Sequence, residues 1–188
     1  DGNLLSKRRG KFGYMLQQPL LLPWRTVEDN LVLGSDIRNI PRKISIEKAR
    51  SLLFKFGLLE YASRYPSILS GGMQQRIALL RTILFNDKFL LLDEPFGALD
   101  KLTRISLQLW LLEVCRKVKA TTLFITHDIQ EAILLSDKII VLSKRPSRIL
   151  KIIYVTLPYP RKQLQITTST ASKIEKELLS ILLKEQRL

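Results

Sequence analysis

The stretch FLLLDE, residues 89–94, joins four consecutive apolar residues to two carboxylates. A short apolar run that ends in polar residues is typical of a strand buried on both faces of a parallel sheet. Ligands bind at the carboxyl ends of the strands in such sheets, which would place Asp93 and Glu94 at the binding edge. Asp93 suits a magnesium ion that shares its oxygen ligands with phosphates, and Glu94 suits a base that polarises water. An acidic strand end without chemistry is the alternative.

Strands and helices alternate on both sides of this stretch. Helices are predicted at residues 102–118 and 129–135, and further strands at 11–16 (KFGYML), 121–126 (TTLFIT), 138–142 (KIIVL) and 149–155. This alternation predicts an α/β fold with a mainly parallel sheet. Residues 26–84 read as helices only and predict an inserted helical subdomain.

The helix boundaries follow from capping signals. Thr26 is a candidate N-cap, Ser45 is expected to open a second helix, and Gly57 is expected to end it. We expect one partial domain over residues 1–188, with the helical subdomain at 26–84, an α/β core at 85–157 and a C-terminal helix at 170–188. The apolar stripe of that last helix is expected to pack on the core: Ile174, Leu178, Ile181 and Leu182.

A second motif, LSGGMQQR at residues 69–76, places a serine and two glycines at the start of a long predicted helix. Glycines let backbone N–H groups approach an anion closely, and the positive end of the helix dipole lies there. The Ser70 hydroxyl could hydrogen-bond a phosphate oxygen. An ordinary N-cap in a glycine-rich turn is the alternative.

Together these motifs resemble the ATP-binding-cassette (ABC) ATPases. LSGGMQQR is similar to the family's signature motif, and FLLLDEP downstream is similar to its Walker B segment. Gly97-Ala98-Leu99-Asp100 resembles the D-loop, Thr126-His127-Asp128 the switch-histidine segment, and YMLQ at residues 14–17 the Q-loop. Five motifs in the family's order are a specific signal. The resemblance implies the P-loop NTPase fold of the ABC type, with a parallel sheet core and an inserted helical subdomain.

The resemblance also implies roles for single residues, with ATP and Mg²⁺ as cofactors. Gln17 would contact magnesium and the attacking water, Asp93 would bind magnesium, and Glu94 would be the catalytic base. His127, the one histidine of the chain, would hold the γ-phosphate, and Asp100 would bridge to a second subunit. Contacts to ATP held by the opposite subunit of a head-to-tail dimer would come from Ser70, Gly71, Gly72 and Gln74.

The segment after the Q-loop resembles importers for nitrate, sulfonates and taurine. QQPLLLPWRTVEDN spans residues 17–30, and Leu22, Pro23 and Trp24 would form a rigid apolar surface on which a helix of a transmembrane permease subunit docks. A core position for Trp24 is the alternative. The resemblance implies a motor subunit bound peripherally at the cytoplasmic face of the inner membrane. The transported molecule cannot be derived from these residues.

The family's phosphate-binding loop, GxxxxGK[ST], does not occur in the 188 residues. Asp1-Gly2-Asn3 resembles the end of the hairpin that follows that loop, so we expect an amino-terminally truncated chain whose first strands are missing. Such a chain would leave an apolar sheet face uncovered. We expect that it does not bind ATP productively alone and that its enzymatic activity is uncertain.

Composition leaves two other function classes open. The formal net charge of +14 permits a nucleic acid or an anionic surface as partner. A soluble cassette ATPase acting on nucleic acid or the ribosome is one alternative, and a non-catalytic gene remnant is another. Because the chain lacks the second cassette or long insertions usual in such factors, no direct nucleic-acid partner is expected. No apolar run is long enough for a transmembrane helix, and one cysteine excludes an internal disulfide.

Overall fold

A computed structural model describes residues 11–97 and 99–186 of the chain. The described residues divide into two units. Among the described residues, the first unit takes 11–97, 99–107 and 113–125, and the second takes 108–112 and 126–186. Asp1-Gly2-Asn3 and Ala98 of the expected D-loop lie outside the described residues. No helix within the described ranges is long and apolar enough to cross a bilayer.

The first unit contains a parallel sheet of three described strands, in the order β1 (Gly13–Met15), β2 (Phe89–Asp93) and β3 (Thr121–Ile125). Leu91 of β2 is paired with Tyr14 on one side and Leu123 on the other. The predicted FLLLDE run therefore forms the middle strand. The predicted α/β fold with a parallel sheet is confirmed.

The two faces of this sheet differ in exposure. Side chains alternate along a strand, and Met15, Leu90 and Leu92 on one face are buried. The other face leaves large apolar side chains half-exposed: Tyr14, Phe89, Leu123 and Ile125. The prediction that residues 89–92 are buried on both faces is therefore wrong for the described residues, because only one face is covered.

Four helices lie between β1 and β2, all in the first unit: α1 (Val27–Leu31), α2 (Leu33–Ile37), α3 (Arg42–Lys55) and α4 (Gly71–Phe85). Short 3₁₀ turns at Leu59–Tyr61 and Pro66–Ile68 connect α3 to α4. Helices α1, α3 and α4 and strand β2 contribute apolar side chains that are almost fully buried: Val27, Leu31, Leu53, Ile77, Leu80 and Leu92. Helix α5 (Lys101–Val118) follows β2.

The capping predictions were partly right. Thr26 caps α1, since its side-chain oxygen accepts from the Asp29 N–H at 3.3 Å. Gly57 ends α3 with a φ of +69°, as predicted. Ser45, however, does not open α3, which begins at Arg42. The Ser45 hydroxyl instead donates to the carbonyl of Pro41 four residues earlier, at 3.3 Å.

The second unit is built from α6 (Ile129–Leu135), β4 (Lys138–Leu142), β5 (Ile149–Tyr154) and α7 (Ser169–Gln186). β4 and β5 pair antiparallel as a separate two-stranded sheet, so these two predicted strands do not extend the parallel sheet of the described residues. Ile174 and Leu178 are buried in this unit's core, and Ile181 and Leu182 pack against it. The predicted packing of the last helix is confirmed.

Candidate functional site

The side chains of Gln17 and Glu94 meet at the carboxyl edge of the parallel sheet. Gln17 follows β1 by two residues and Glu94 directly follows β2. The Gln17 Nε2 group donates to Glu94 Oε2 at 3.2 Å. The fold thereby brings together two predicted site residues that are 77 positions apart. The Gln17 amide thus contacts one oxygen of a carboxylate, a group that can accept a proton.

The backbone at Glu94 is strained. Its φ is +42°, in the left-handed region that residues with a Cβ rarely adopt. The Glu94 N–H nevertheless donates to the Ile125 carbonyl at 3.0 Å, continuing the ladder beyond β2. Such strain is concentrated at functional sites, where the surrounding structure holds it in place.

Asp93, the last residue of β2, accepts a long hydrogen bond from the Tyr14 hydroxyl at 3.4 Å. Partial desolvation, followed by the charge of Asp93 and this hydrogen bond, raises the pKa of Tyr14. Asp93 and the side-chain carbonyl of Gln17 are oxygen donors of the kind magnesium prefers. Within residues 11–97 and 99–186, no three His, Cys, Asp or Glu side chains group as a metal site. Asp93 and Gln17 would supply part of the oxygen ligands of a magnesium ion that also binds nucleotide phosphates.

Helix α4 begins at the predicted signature motif. Ser70 is its N-cap, with Oγ accepting from the Met73 N–H at 3.3 Å. A Cβ on Gly72 would lie 2.7 Å from Thr103 Cγ2, so the packing of α4 itself requires this glycine. A Cβ on Gly71 would meet only Leu99, at an ordinary 3.8 Å. The chain's own packing therefore does not require Gly71, and its exposed backbone is open to a ligand.

Two successive glutamines of this motif hydrogen-bond different segments of the chain. Gln74 Nε2 donates to the carbonyls of Pro66 and Leu69, at 3.1 and 3.2 Å. Its amide thus binds the turn that precedes α4, and a contact to ATP remains a prediction. Gln75, which the sequence reading did not single out, is 2% exposed. Its Nε2 donates to the carbonyls of Gln17 at 3.0 Å and Pro95 at 2.7 Å.

Gln75 thereby ties the segments that follow β1 and β2 to α4. Its Oε1 is buried without a hydrogen-bond partner among the described residues. The position of Gln75 in the core face of a helix was visible in the sequence, and a polar residue there is a signal that could have identified it.

The segment after Gln17 is held by two further side chains. Arg81 of α4 donates to the carbonyls of Pro19 and Leu20, at 2.6 and 2.8 Å. Asn30 of α1 is fully buried; it accepts from the Leu22 N–H at 2.7 Å and donates to the Leu22 carbonyl at 3.1 Å. Trp24 is 72% exposed, so the core alternative for this residue is wrong.

Asp100 is exposed and caps α5. Its Oδ1 accepts from the N–H groups of Leu102 and Thr103, both at 3.1 Å. The hydrogen bonds with Thr103 are the main cause that lowers the pKa of Asp100. The side chain already satisfies a helix N-terminus, and a role towards a second subunit remains a prediction.

His127 belongs to the second unit, where it lies exposed between Thr126 and Asp128. Asp128 caps α6 by accepting from the N–H groups of Gln130 and Glu131, at 2.8 and 3.1 Å. The predicted switch histidine is thus an exposed residue that directly precedes the N-cap of α6, and its contact with a γ-phosphate remains a prediction.

Comparison with known proteins gives the family. The family model described as ABC transporter matches residues 2–97. The chain belongs to the ABC transporter family. It is 40% identical over 188 residues to the formylaminopyrimidine import ATP-binding protein ThiZ of Halalkalibacterium halodurans, covering 98% of this chain and 75% of ThiZ. It is 40% identical over 179 residues to the aliphatic sulfonates import ATP-binding protein SsuB of Bacillus cereus, covering 95% of this chain and 69% of SsuB.

A solved structure of a metal-chelate type ABC transporter in an inward-facing conformation is similar at a TM-score of 0.68 and 26% identity. The match covers 92% of this chain and 63% of the solved chain. The chain thus spans about two thirds to three quarters of the length of these relatives. The predicted family and the predicted fold of the ABC type are confirmed.

Proposed function

We propose that this chain is the ATP-hydrolysing subunit of an ABC importer for small anions such as nitrate, sulfonates or taurine. The observation that carries the proposal is the contact of Gln17 with Glu94, at 3.2 Å, at the carboxyl edge of the parallel sheet. The substrate class is supported by the segment at residues 17–30 and by the similarity to an aliphatic sulfonates import protein.

Each predicted site residue has one task in the proposed reaction. Glu94 accepts a proton from the attacking water, and Gln17 orients that water through its amide. Asp93, with Gln17, would hold magnesium, which neutralises phosphate charge when it is bound. His127 would donate to the γ-phosphate. The strained backbone of Glu94 supports a functional position for its carboxylate.

The proposed partners are a second cassette subunit and membrane permease subunits. Ser70, Gly71, Gly72 and Gln74 would face ATP held by the second subunit in a head-to-tail dimer, with Asp100 bridging the two. The exposed Trp24 would contact a permease helix, which would place the subunit at the cytoplasmic face of the inner membrane. The open backbone at Gly71 supports the first contact, and the exposure of Trp24 supports the second.

Alone, the 188-residue chain is not expected to bind ATP productively, since no GxxxxGK[ST] loop holds the β- and γ-phosphates. Isothermal titration of the chain with Mg-ATP should show no saturable binding in the micromolar range. Micromolar affinity would contradict this expectation.

Hydrolysis is tested in a fusion that supplies the phosphate-loop segment of the sulfonate relative at the amino end. The fusion should hydrolyse Mg-ATP, and Glu94→Gln should lower kcat about 100-fold or more, because the base is lost while size is kept. The matched control is Glu113→Gln, an exposed carboxylate on α5 that pairs with Lys117, which should leave the rate unchanged. Equal rates for Glu94→Gln and the unchanged fusion would refute the proposal.

The contact across the dimer is tested by complementation. A full-length cassette subunit whose own signature serine and glycine are disabled is mixed with this chain, and ATP hydrolysis is measured. This chain should restore hydrolysis, and its Ser70→Ala, Gly71→Val variant should not, because both groups would face the partner's ATP. If the unaltered chain neither binds the partner nor changes its rate, the proposed role of the signature motif is wrong.

A further inference from the structure

Glu131 of α6 is a buried carboxylate that has no part in the proposed reaction. Its side chain is 6% exposed. Burial of a carboxylate is costly unless hydrogen bonds replace the lost water. Two donors from outside its own helix reach it: Gln108 Nε2 lies 3.0 Å from Oε1, and Thr126 Oγ1 lies 2.7 Å from Oε2. Glu131 therefore hydrogen-bonds one residue on α5 and one residue that precedes α6.

The Thr126 hydroxyl connects Glu131 to Asp128, the residue that follows His127. The hydroxyl donates to Glu131, and its oxygen accepts from the Asp128 N–H at 3.0 Å. The Asp128 carboxylate in turn accepts from the Glu131 N–H at 3.1 Å. The hydrogen bonds close a ring of three residues, which we call the switch ring: Thr126, Asp128 and Glu131. The backbone of His127 connects the first two members along the chain.

An ordinary helix cap does not account for the switch ring. Asp128 and Glu131 have the spacing of a capping box, in which the glutamate accepts directly from the N–H of the capping residue. Here the Thr126 hydroxyl takes that N–H, and the Glu131 carboxylate binds the hydroxyl instead. Thr126 is therefore an added member, and it directly precedes His127.

We propose that Glu131, acting through Thr126, is a positioning residue that fixes the backbone on both sides of His127. The exposed imidazole then emerges from a single loop conformation, and Gln108 anchors the carboxylate to α5. This assignment rests on the proposed function for the role of His127 itself. The geometry of the switch ring can be tested without any nucleotide.

The test uses the 188-residue chain and its single histidine, whose ring proton signals in NMR spectra need no assignment among others. Thr126→Val keeps the side-chain shape and removes both hydrogen bonds. It should split or broaden the His127 ring signals and speed amide exchange of Asp128 about tenfold or more. Thr126→Ser keeps the hydroxyl and should restore one set of signals and exchange within about threefold of the original.

Thr82→Val is the matched control, because it removes a threonine hydroxyl that donates within α4 of the first unit. It should leave the His127 signals and the Asp128 amide unchanged. If Thr126→Val leaves both readouts unchanged, or if Thr126→Ser fails to restore them, the proposal is overturned. A failure of the phosphate-loop fusion to hydrolyse ATP would refute the proposed function and leave these readouts intact.

A second pair of variants covers the case in which Thr126→Val does not fold. Glu131→Gln replaces one accepting oxygen by an NH₂ group. The new amide therefore cannot accept from both Gln108 and Thr126 in the way the carboxylate does. Asp128 exchange should then rise about threefold to tenfold. Adding Gln108→Glu returns a carboxylate opposite an amide and should reverse most of that rise. No rise in the single variant, or no reversal in the double variant, would contradict the switch ring.

Discussion

The loop after Gln17 in the first unit and the loop around His127 in the second are both fixed by a buried polar side chain, but of opposite kinds. Gln75 holds the first loop through an uncharged NH₂ group that donates to two carbonyls. Glu131 holds the second through a carboxylate that accepts from a hydroxyl and an amide. In each unit, the buried side chain complements what the loop presents: acceptors in the first, donors in the second.

This difference shows why the two anchors are not interchangeable. A carboxylate at Gln75 would face two carbonyl oxygens, which cannot donate a hydrogen bond. An amide at Glu131 would still offer one acceptor to its donors. We therefore expect Gln75→Glu in the first unit and Glu131→Gln in the second to have unequal costs in stability.

The largest effect is expected for Gln75→Glu. The introduced carboxylate would be buried against two acceptors, which should lower the free energy of unfolding by about 3 kcal/mol or more at pH 7. Burial favours its neutral form and so raises its pKa in the folded state above the unfolded value. Stability should then recover as the pH falls and be lost as the pH rises through the folded pKa. Urea unfolding at pH 5 and pH 7.5 checks this, with Gln75→Met as the uncharged control.

A smaller loss is expected for Asn30→Ala. Asn30 is fully buried and bonds both backbone groups of Leu22. Its removal leaves the partly buried Leu22 N–H unpaired and takes one of two donors from the Leu22 carbonyl, at a cost of about 2 kcal/mol. Hydrogen exchange should speed in peptides covering residues 17–25 and stay unchanged in residues 126–131. Equal acceleration in both segments would show that the two loops are not held separately.

A smaller effect again is expected for Glu131→Gln. The variant keeps one acceptor and removes the buried charge, so the free energy of unfolding should change by about 1 kcal/mol or less. Thermal unfolding of this variant beside Gln75→Glu compares the two anchors directly. A larger loss at Glu131 than at Gln75 would reverse the comparison.

The smallest effect on stability is expected for Trp24→Ala. Because Trp24 is 72% exposed, its removal should change the free energy of unfolding by less than about 0.5 kcal/mol. Binding to solubilised permease subunits of a sulfonate importer should nevertheless weaken about tenfold or more if Trp24 anchors that contact. Phe54→Ala removes another exposed aromatic of the first unit and should leave binding unchanged. Equal weakening by both variants would contradict a specific docking surface.

Much of the candidate site at the carboxyl edge of the parallel sheet could be predicted from the sequence. Residues 89–94 predicted a strand that ends in two carboxylates, because apolar runs and strand ends are local patterns. Ser70 and Thr26 were correct N-caps since a cap acts within three residues along the chain. Ser45 misled, because a serine inside a helix can bind the carbonyl four residues earlier as readily as it caps.

The anchors could not be predicted, because their partners are distant in sequence. Gln75 reaches Gln17 across 58 positions, and Glu131 reaches Gln108 across 23. A polar residue in an apolar helix face signals only that a partner exists, and the folded chain decides which one. The one-sided exposure of the parallel sheet and the antiparallel pairing of β4 with β5 are likewise tertiary facts.

The sequence by itself determined the family, the α/β class and the order of the motifs, since these depend on short patterns and their spacing. The tertiary structure alone decided that Gln17 binds Glu94, that Gln75 and Glu131 hold the two loops, and that Trp24 is exposed. The physical reason is that a strand or a cap is stabilised by neighbours along the chain. A buried polar contact instead depends on groups that only folding brings within hydrogen-bond distance.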